Sequence, residues 1–374
     1  MRVLLTDGLQ RKTLVATRSL GRAGYEVWVA DDRRASLARS SRYCRRALVS
    51  PHPADPAYGG WLRSAAADVD LVLPMDDLST AAAIACGEDL GAAALLPSAE
   101  QFAVCRDKGR TMALAAAADV PHPRTETVDG PSDLARARSA IPGAAVLRPR
   151  VGSGGRGVRF LEPGEEPPGG DLAGRILQER LPQGRKVDVG LLFDGTGALR
   201  AQFCQEELRW FPGVSGTSTL QRSAWCPDLL ALSLRLLRPI GWRGLAEVEW
   251  LVALDGSPWL LEVNPRPWAS IGLAVAAGVD FPRLWAELAL GGDTRGPDAY
   301  DLDVLCRWSL PADLLHLLGH PLRSLGAEAP RRRPGERVVD DVLDREDPGP
   351  LFGFAWAVLG HLFDVGAWRQ VMRW

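Results

Sequence analysis

Residues 244–268 read GLAEVEWLVALDGSPWLLEVNPRPW, and we expect the chain to be organised around this stretch. Two runs of alternating polar and apolar residues flank the dipeptide Asp255-Gly256. This dipeptide is typical of tight hairpin turns, and the alternation is typical of strands with one buried face. The stretch therefore predicts a β-hairpin.

The polar residues of this predicted hairpin fall on one face. Because side chains alternate between the two faces of a strand, Glu247 and Glu249 share a face, and so do Glu262 and Asn264 on the return strand. A two-residue loop sets Glu249 directly opposite Glu262. A four-residue loop, which the proline after the turn permits, sets Glu249 opposite Asn264 instead. Both registers bring the acids and the amide to the same face.

These polar residues are candidate metal ligands. Directly opposed carboxylates have Cβ atoms about 5 Å apart and repel each other, so a stable sheet avoids them unless a cation compensates. Glu249, Glu262 and the amide oxygen of Asn264 are hard ligands suited to Mg²⁺, which also keeps waters and binds substrate phosphates. Arg266 follows between two prolines and can reach a phosphate or an oxyanion. A solvated face with ordinary surface acids is the alternative.

Length and composition indicate a globular protein of several parts. A chain of 374 residues is too long for one typical core and predicts two or three subdomains. The net charge of −2 gives no basic field that points to nucleic acid. No apolar run reaches the length of a membrane span, and no signal-peptide pattern is recognised. The six cysteines lack paired spacing, so we expect a reducing compartment and a cytoplasmic location.

Residues 1–97 alternate between predicted strands and helices. Strands at residues 2–6, 26–30, 70–74 and 93–96 predict a small, doubly wound parallel sheet with helices on both faces. The turn after the first strand lacks the glycine spacing that admits a dinucleotide pyrophosphate. We therefore expect this domain to shape a site without holding NAD.

Lys108 stands at the start of a predicted helix. A lysine there is unfavourable against the helix dipole, so its presence indicates an anion nearby. The chain has only two other lysines, Lys12 and Lys186, which makes each one more informative. A lysine that faces solvent is the alternative.

Residues 152–157 read GSGGRG and form a second candidate segment for binding phosphate. The glycines match the dinucleotide fingerprint G-x-G-x-x-G, but a strand pattern follows them where a helix is required. The Gly-Lys-Ser/Thr ending of a P-loop is also missing. What remains is a flexible glycine hairpin whose amides can close over phosphates, with a plain surface turn as the alternative.

Two later segments are less regular. Residues 207–223 are predicted to form a long loop dense in glycine and hydroxyl groups, and such loops are usually functional or disordered. From residue 291 the chain turns charged and proline-rich before an aromatic tail, which either covers an apolar surface or joins copies into a homo-oligomer. His316 and His320 have a spacing that metals sometimes use, but no third ligand is near, so a packed or solvated pair is favoured.

The motifs, taken in order, resemble the ATP-grasp superfamily. Its carboxylate-amine ligase branch, related to carbamoyl-phosphate synthase and D-aspartate ligase, matches best over roughly residues 1–290. Each motif alone is weak, but their order and spacing together are specific. The motifs are Asp107-Lys108, Arg148-Pro149, the glycine loop 152–157, the run from Gln178 to Leu181, Asp188, Glu249 and the run from Glu262 to Arg266.

The resemblance implies an α/β fold, the ATP-grasp fold, in three parts with an extension. ATP is expected to lie between the second and third parts. The parts are an N-terminal doubly wound parallel-sheet domain (1–97), a small lid subdomain with the glycine loop (98–180), a C-terminal α+β lobe with the metal hairpin (181–290) and a C-terminal extension (291–374).

The resemblance also implies which residues hold ATP. Lys108 and Arg148 would contact the phosphates. Glu179 and Leu181 would present backbone groups to adenine, and Asp188 would hold the ribose. Arg148 stands where the family usually has lysine, and Asp188 is shorter than the usual glutamate. The glycine-loop residues that would fold over the β- and γ-phosphates are Gly152, Ser153, Gly154, Gly155 and Gly157.

A second set of residues would carry the chemistry. Glu249, Glu262 and Asn264 would bind two Mg²⁺ ions, and Arg266 would steady the transferring phosphoryl group or a later tetrahedral intermediate. The segment 209–222 resembles the part that this branch places over its acceptor substrate. Its candidate substrate residues are Arg209, Ser218 and Arg222, and one of the arginines is expected to bind a substrate carboxylate. An arginine that pairs with a surface acid is the alternative.

The activity implied is that of an ATP-dependent carboxylate-amine ligase. A carboxylate oxygen attacks the γ-phosphorus of ATP, an acyl phosphate forms, and an amine displaces phosphate to give an amide or peptide bond. The expected partners are therefore a small-molecule carboxylate and an amine. An ATP-grasp enzyme with a non-amine acceptor and a non-catalytic nucleotide-binding protein are the alternatives.

Overall fold

The structure is a computed structural model that describes residues 1–152, 155–165, 167, 171–211, 216–310 and 332–352. Within these ranges the chain forms three sheets, of four, seven and four strands. No helix in the same ranges is long and apolar enough to cross a membrane. The predicted residues that lie outside the described part of the chain are Ser153, Gly154, His316, His320 and the aromatic tail from residue 353.

The first sheet is parallel and is built near the N-terminus. Its elements are β1 (Arg2–Leu5), α1 (Arg11–Arg22), β2 (Glu26–Asp31), β3 (Cys44–Val49), α2 (Tyr58–Ala66), β4 (Leu71–Leu73) and α3 (Asp77–Cys86). The strand order is β3-β2-β1-β4, and all neighbours are parallel. β1 and β4 are apolar runs, as expected of strands covered on both faces. The predicted strand at 93–96 forms only one bridge, from Ala93 to Leu71.

The second sheet is antiparallel and carries the glycine loop. Its elements and the helices before it are α4 (Ala99–Arg106), α5 (Lys108–Ala117), β5 (Thr125–Val128), α6 (Pro131–Ala140), β6 (Ala145–Pro149), β7 (Arg159–Leu161) and β8 (Arg175–Glu179). The strand order is β5-β8-β6-β7. β6 and β7 pair with each other, so the glycine loop connects two neighbouring antiparallel strands.

The third sheet has seven strands and contains the hairpin predicted at residues 244–268. Its elements are β9 (Gly184–Phe193), β10 (Leu199–Phe211), β11 (Thr217–Ala224), α7 (Pro227–Leu237), β12 (Gly244–Ala253), β13 (Pro258–Asn264), α8 (Ile271–Ala276), α9 (Phe281–Ala289), β14 (Val304–Arg307) and β15 (Arg337–Asp340). The strand order is β13-β12-β9-β10-β11-β14-β15. β14 and β15 extend the sheet beyond β11, although both follow residue 291.

The prediction of a long loop at residues 207–223 is wrong. β10 continues to Phe211 and β11 begins at Thr217, and residues 204–211 of β10 pair with residues 217–224 of β11. The many hydroxyl and amide side chains in β11 are buried between elements, which makes the strand look like a loop in sequence. β-Branched threonines and the aromatic residues nearby favour strand structure, and the glycines and proline are confined to the short connection.

The hairpin of β12 and β13 pairs its glutamates as predicted, but its turn has a different length from either predicted loop. Glu249 lies opposite Glu262, as a two-residue loop predicts, yet Val252 lies opposite Pro258. The amide of Ala253 donates to the carbonyl of Ser257, so the loop holds three residues. A bulge at Leu261 adds one residue to β13 and restores the register before the acids are reached.

Candidate active site

A cleft of about 1260 Å³ is lined by residues of all three sheets and their connections. Asp31 comes from the first sheet, Arg148 from the second and Glu249 from the third, and Lys12 of α1 and Asp76 before α3 complete this part of the wall. This volume exceeds the upper end of the range typical of small-molecule sites, about 1,000 Å³. The predicted site residues in its wall are Arg148, Gly155, Glu179, Leu181, Ser218, Glu249, Glu262, Asn264 and Arg266.

The acids of the hairpin lie on one face, as predicted. Asn264 lies opposite Glu247, and Glu262 lies opposite Glu249. The Nδ2 of Asn264 donates to Glu247 Oε2 at 2.9 Å and to Glu249 Oε1 at 2.7 Å. Three carboxylates and one amide are therefore gathered at the floor of the cleft.

Two of these carboxylates are held in an environment that disfavours their charge. Burial, followed by the nearby charges of Glu262 and Glu247, raises the pKa of Glu249 well above its ordinary value. Burial also raises the pKa of Glu247 to about 8, and Glu207 adds to the effect. A cation placed among these groups would therefore be strongly stabilised.

Glu262 differs from the other two because cations already face it. Lys108 Nζ lies 3.1 Å from Glu262 Oε2, and Arg148 Nη1 lies 3.6 Å from the same oxygen. Burial raises the pKa of Glu262, but Lys108 and Arg148 outweigh it and hold the pKa below its ordinary value. Both cations are residues expected to contact phosphates.

Lys108 is held at this place by the cap of its helix. The side chain of Asp107 accepts hydrogen bonds from the amides of Gly109 and Arg110, which starts α5 at Lys108. The Nζ of Lys108 donates to the carbonyl of Gly152 at 2.7 Å, at the start of the glycine loop. The side chain is buried, so the alternative of a solvent-facing lysine is wrong.

Arg148 joins the second sheet to the hairpin bulge. Its Nη2 donates to the carbonyl of Leu261 at 2.8 Å, and Leu261 is the residue that the bulge adds. A bulged residue leaves the strand ladder, so its carbonyl needs another partner. The forked guanidinium reaches both this carbonyl and Glu262, which a single ammonium group does less readily.

Arg266 leaves the hairpin and meets the first sheet. Its Nη2 donates to Asn264 Oδ1 at 3.1 Å, and its Nε lies 3.2 Å from Asp77 Oδ1 and 3.4 Å from Asp76 Oδ1. Lys12 Nζ lies 3.3 Å from the same Asp76 oxygen. Sequence reasoning missed Lys12, Asp76 and Asp77, since their proximity to Arg266 arises only from the tertiary fold.

Asp188 lies beside the acidic face, below the cleft wall. It neighbours Glu249 in the strand ladder, and its Oδ2 accepts a hydrogen bond from Gln205 Nε2 at 2.9 Å. Burial, then Glu207 and Glu247, raises its pKa well above the ordinary value. Asp188 is not among the described residues that line the cleft, and its contact with a ribose stays a prediction.

Several residues expected around adenine and the phosphates line the cleft. Glu179 ends β8, and its Oε1 accepts a hydrogen bond from the amide of Arg124 at 2.8 Å. Leu181 follows it, and both line the cleft with Gly155 of the glycine loop. Gly155 and Gly157 have positive φ angles of 69° and 72°, which glycine adopts without strain.

Of the three predicted substrate residues, Ser218 alone is among the described residues that line the cleft. Ser218 lines the cleft, and its carbonyl accepts a hydrogen bond from Arg11 Nη2 at 2.8 Å. Arg209 Nε donates to Thr219 Oγ1 at 3.1 Å. Arg222 pairs with the buried carboxylate of Glu336, and neither arginine is among the described residues that line the cleft. A substrate role for these residues stays a prediction.

The donor set fits Mg²⁺ held jointly with phosphates. In the described part of the chain, no group of three or more His, Cys, Asp or Glu side chains could hold a metal ion unaided. Mg²⁺ is usually bound through one or two carboxylates together with waters and substrate phosphates, so a complete protein cage is not required. The opposed pair Glu249 and Glu262 supplies two such carboxylates. Turning over the amide of Asn264 would present its oxygen to the same place.

Comparison with known proteins identifies this class of site. Residues 105–270 match the model of the ATP-grasp domain. The chain therefore contains an ATP-grasp domain, as its motifs predict.

The curated relatives are ligases. A D-alanine–D-alanine ligase of Methylococcus capsulatus is 27% identical over 199 residues, which cover 49% of this chain and 64% of that ligase. The D-alanine–D-alanine ligase of Gloeobacter violaceus is 29% identical over 206 residues, which cover 49% of this chain and 67% of that ligase. The match thus spans about two thirds of each relative's length.

Solved structures share the fold. The biotin carboxylase β,γ-ATP complex of Campylobacter jejuni has a TM-score of 0.67 at 17% sequence identity. The match covers 81% of this chain and 74% of the biotin carboxylase chain. The N5-carboxyaminoimidazole synthetase of Staphylococcus aureus, complexed with ADP, has a TM-score of 0.68 at 14% identity and covers 86% of both chains. These likenesses confirm the predicted α/β fold of the ATP-grasp type.

Proposed function

We propose that this protein is an ATP-dependent ligase that activates a carboxylate as an acyl phosphate and joins it to an amine. The products are an amide or peptide bond, ADP and phosphate. The observation that carries the proposal is the opposed pair Glu249 and Glu262, with Lys108, Arg148 and Arg266 around it, in the cleft of an ATP-grasp domain. The two curated relatives are ligases that join amino acids, which supports the same class of reaction.

ATP and Mg²⁺ are the proposed cosubstrate and cofactor. Structural neighbours include a β,γ-ATP complex and a complex with MgADP and bicarbonate. In this chain Glu249, Glu262 and Asn264 would hold two Mg²⁺ ions. When bound, Mg²⁺ supplies positive charge that neutralises the transferring phosphoryl group.

The chain's own cations would position the phosphates. Lys108 and Arg148 already lie within 4 Å of Glu262, so they are placed to bridge between its carboxylate and a phosphate. The glycine loop after β6 would cover the β- and γ-phosphates with its amides. Closure matters because water would hydrolyse an acyl phosphate before an amine could attack it.

Arg266 would stabilise the reacting groups. Its guanidinium is buried, and contacts with Asp77, Asp76 and Asn264 fix its direction. A fixed cation in a desolvated site stabilises developing negative charge without reorganising during the reaction. It would act first on the phosphoryl group and then on the oxyanion that forms when the amine attacks.

Arg148 favours one rival function. Because arginine replaces the family's usual lysine and is tied to Leu261 and Glu262, the chain could bind nucleotide without turnover. Such a protein would bind ATP and release no ADP with any substrate. An ATP-grasp enzyme with a non-amine acceptor would release ADP but give a product without a new amide.

A coupled assay of ADP release separates these functions. The full chain is supplied with MgATP and mixed pools of amino acids and other small carboxylates and amines. The proposed function predicts ADP release that requires both an acid and an amine, and mass analysis should find an amide. Glu262→Ala should abolish release while circular dichroism remains unchanged. Full activity of that variant would refute the metal assignment.

The cellular setting is also a proposal. All six cysteines are free, which supports a reducing compartment such as the cytoplasm. We propose that the aromatic tail joins copies of the chain into a homo-oligomer, and light scattering of the full chain tests this. Fractionation of the native cells tests the location.

A further inference from the structure

Lys12 is a buried lysine in the wall of the cleft. It is the second residue of α1, and its side chain is 3% exposed. Its Nζ donates to Asp76 Oδ1 at 3.3 Å and to the carbonyl of Pro267 at 3.2 Å. Pro267 follows Arg266, so the ammonium group lies just beyond the end of β13, the second strand of the hairpin that carries Glu249 and Glu262.

Lys12 and Arg266 form a pair of like charges that share one acid. Both lie within 3.4 Å of Asp76 Oδ1, and Arg266 has Asp77 as a second acid. Burial and then the charge of Arg266 lower the pKa of Lys12, in keeping with the close approach of both cations to one carboxylate oxygen. The other oxygen of Asp76 accepts a hydrogen bond from Gln10 Nε2 at 2.9 Å, which fixes the orientation of that carboxylate.

Lys12 keeps donor capacity for one further acceptor. An ammonium group has three donors, and Lys12 directs two of them to partners within the described chain. The first turn of α1 contains no acid, and the side chain of Gln10 does not cap it. The positive end of the helix therefore adds to the charge of Lys12. Lys12, Arg266 and Asn264 all border the same cleft.

We propose that Lys12 binds the carboxylate of the acid substrate beside Arg266. The proposal rests on the ligase function and names the group that delivers the acid to ATP. A carboxylate must approach a polyphosphate of the same charge, and a cation between them removes that repulsion. Lys12 comes from α1, whereas Lys108 and Arg148, the cations expected on ATP, come from α5 and β6, so acid and nucleotide have separate binding groups. Asp76 is the positioning residue that holds Lys12 and Arg266 in place.

The test uses acetyl phosphate, the smallest stable acyl phosphate, as the probe. When MgADP is present, the full chain should transfer the phosphoryl group of acetyl phosphate to ADP. The P–O bond to acetate breaks, a P–O bond to ADP forms, and ATP and acetate are the products. Luciferase measures the ATP, and calorimetry measures the affinity for MgADP. The variants are Lys12→Met, Lys12→Arg and the matched control Arg22→Met, which removes an exposed cation from the other end of α1.

The expected result is a selective loss in Lys12→Met. The acetyl phosphate concentration at half-maximal rate should rise at least about ten-fold, the size expected for one charge-assisted hydrogen bond. The affinity for MgADP should stay within about two-fold of the unaltered chain. Lys12→Arg should recover part of the loss because it keeps the charge, and Arg22→Met should show no change.

The remaining outcomes separate this proposal from the ligase function. An unaltered chain that does not bind MgADP refutes the ligase function itself. A chain that binds MgADP but makes no ATP from acetyl phosphate overturns the carboxylate pocket alone. If Lys12→Met leaves the half-saturating concentration of acetyl phosphate unchanged, the proposal is overturned as well. It is also overturned if Lys12→Met weakens MgADP binding as much as it raises that concentration, because such a result would indicate a structural role for the lysine.

Discussion

Lys108 Nζ lies 3.1 Å from Glu262 Oε2, so the start of α5 and the metal hairpin meet through one ion pair. The residue expected on the phosphates is thus in direct contact with a residue expected on Mg²⁺. Arg148 approaches the same carboxylate from the second sheet. The two ion pairs tie the groups expected on the phosphates to a group expected on Mg²⁺.

Lys108→Met should weaken nucleotide binding. The substitution keeps the length of the side chain and removes its charge, so one charge-assisted contact to phosphate is lost. We expect the Kd for MgADP to rise about ten- to a hundred-fold, as measured by calorimetry. Arg110→Met is the matched control because Arg110 lies on the same helix and pairs with the exposed Glu100. An unchanged Kd in Lys108→Met would contradict its role on the phosphates.

Glu247 predicts a loss of stability as pH rises. Its folded pKa is raised from 4.5 to about 8, chiefly by burial, so the folded state keeps a proton that the unfolded chain releases. The stability from this proton is fully present below about pH 4.5 and is lost as the pH rises through 8. Glu247→Gln carries no proton that can be lost. In thermal melts without Mg²⁺, its melting temperature should therefore rise relative to that of the unaltered chain as the pH increases from 5 to 8. A difference independent of pH would count against the raised pKa.

Arg148→Lys should separate packing from catalysis. Lysine keeps the charge but cannot reach both Leu261 and Glu262 through a fork, so the hairpin bulge loses a hydrogen bond. We expect urea unfolding to show a loss of about 1–2 kcal/mol, while ADP release is retained. Arg148→Met should lose both stability and ADP release. If Arg148→Lys is as stable as the unaltered chain, the bulge does not depend on the guanidinium.

Gly190→Ala should destabilise the floor of the site. A Cβ at Gly190 in β9 would clash with the indole of Trp268, which is buried. The indole cannot move freely in a packed core, so we expect a loss of about 1–3 kcal/mol in urea unfolding. Gly59→Ala in α2 is the control, since nothing lies within 4 Å of its added methyl group. The control should be neutral or slightly stabilising, by up to about 1 kcal/mol.

The acidic face of the hairpin could be predicted because it depends on local alternation. The spacing of Glu247, Glu249, Glu262 and Asn264 places all four on one face whichever loop closes the hairpin. The loop itself could not be predicted. Its length depends on the bulge at Leu261, which is stabilised by Arg148 from another sheet.

Lys12 shows why part of the site was missed. Its partners Asp76 and Pro267 lie far away in sequence and meet it only when the first sheet packs against the hairpin exit. One local signal was available, because Arg11 and Lys12 stand in the first turn of a helix without an acid. The same reasoning that singled out Lys108 at the start of α5 applies to Lys12. The domain boundaries and the roles of the site residues stay predictions.

The bulge at Leu261 also separates the tip of the hairpin from its acids. Changes in length at residues 254–256 can be absorbed before they reach Glu249 and Glu262, since the two ends of the hairpin already follow different registers. Leu254 is 86% exposed at this tip. The tip is therefore a natural attachment point for a fluorophore or a short epitope, because a label there is separated by the bulge from the acids at the other end of the hairpin.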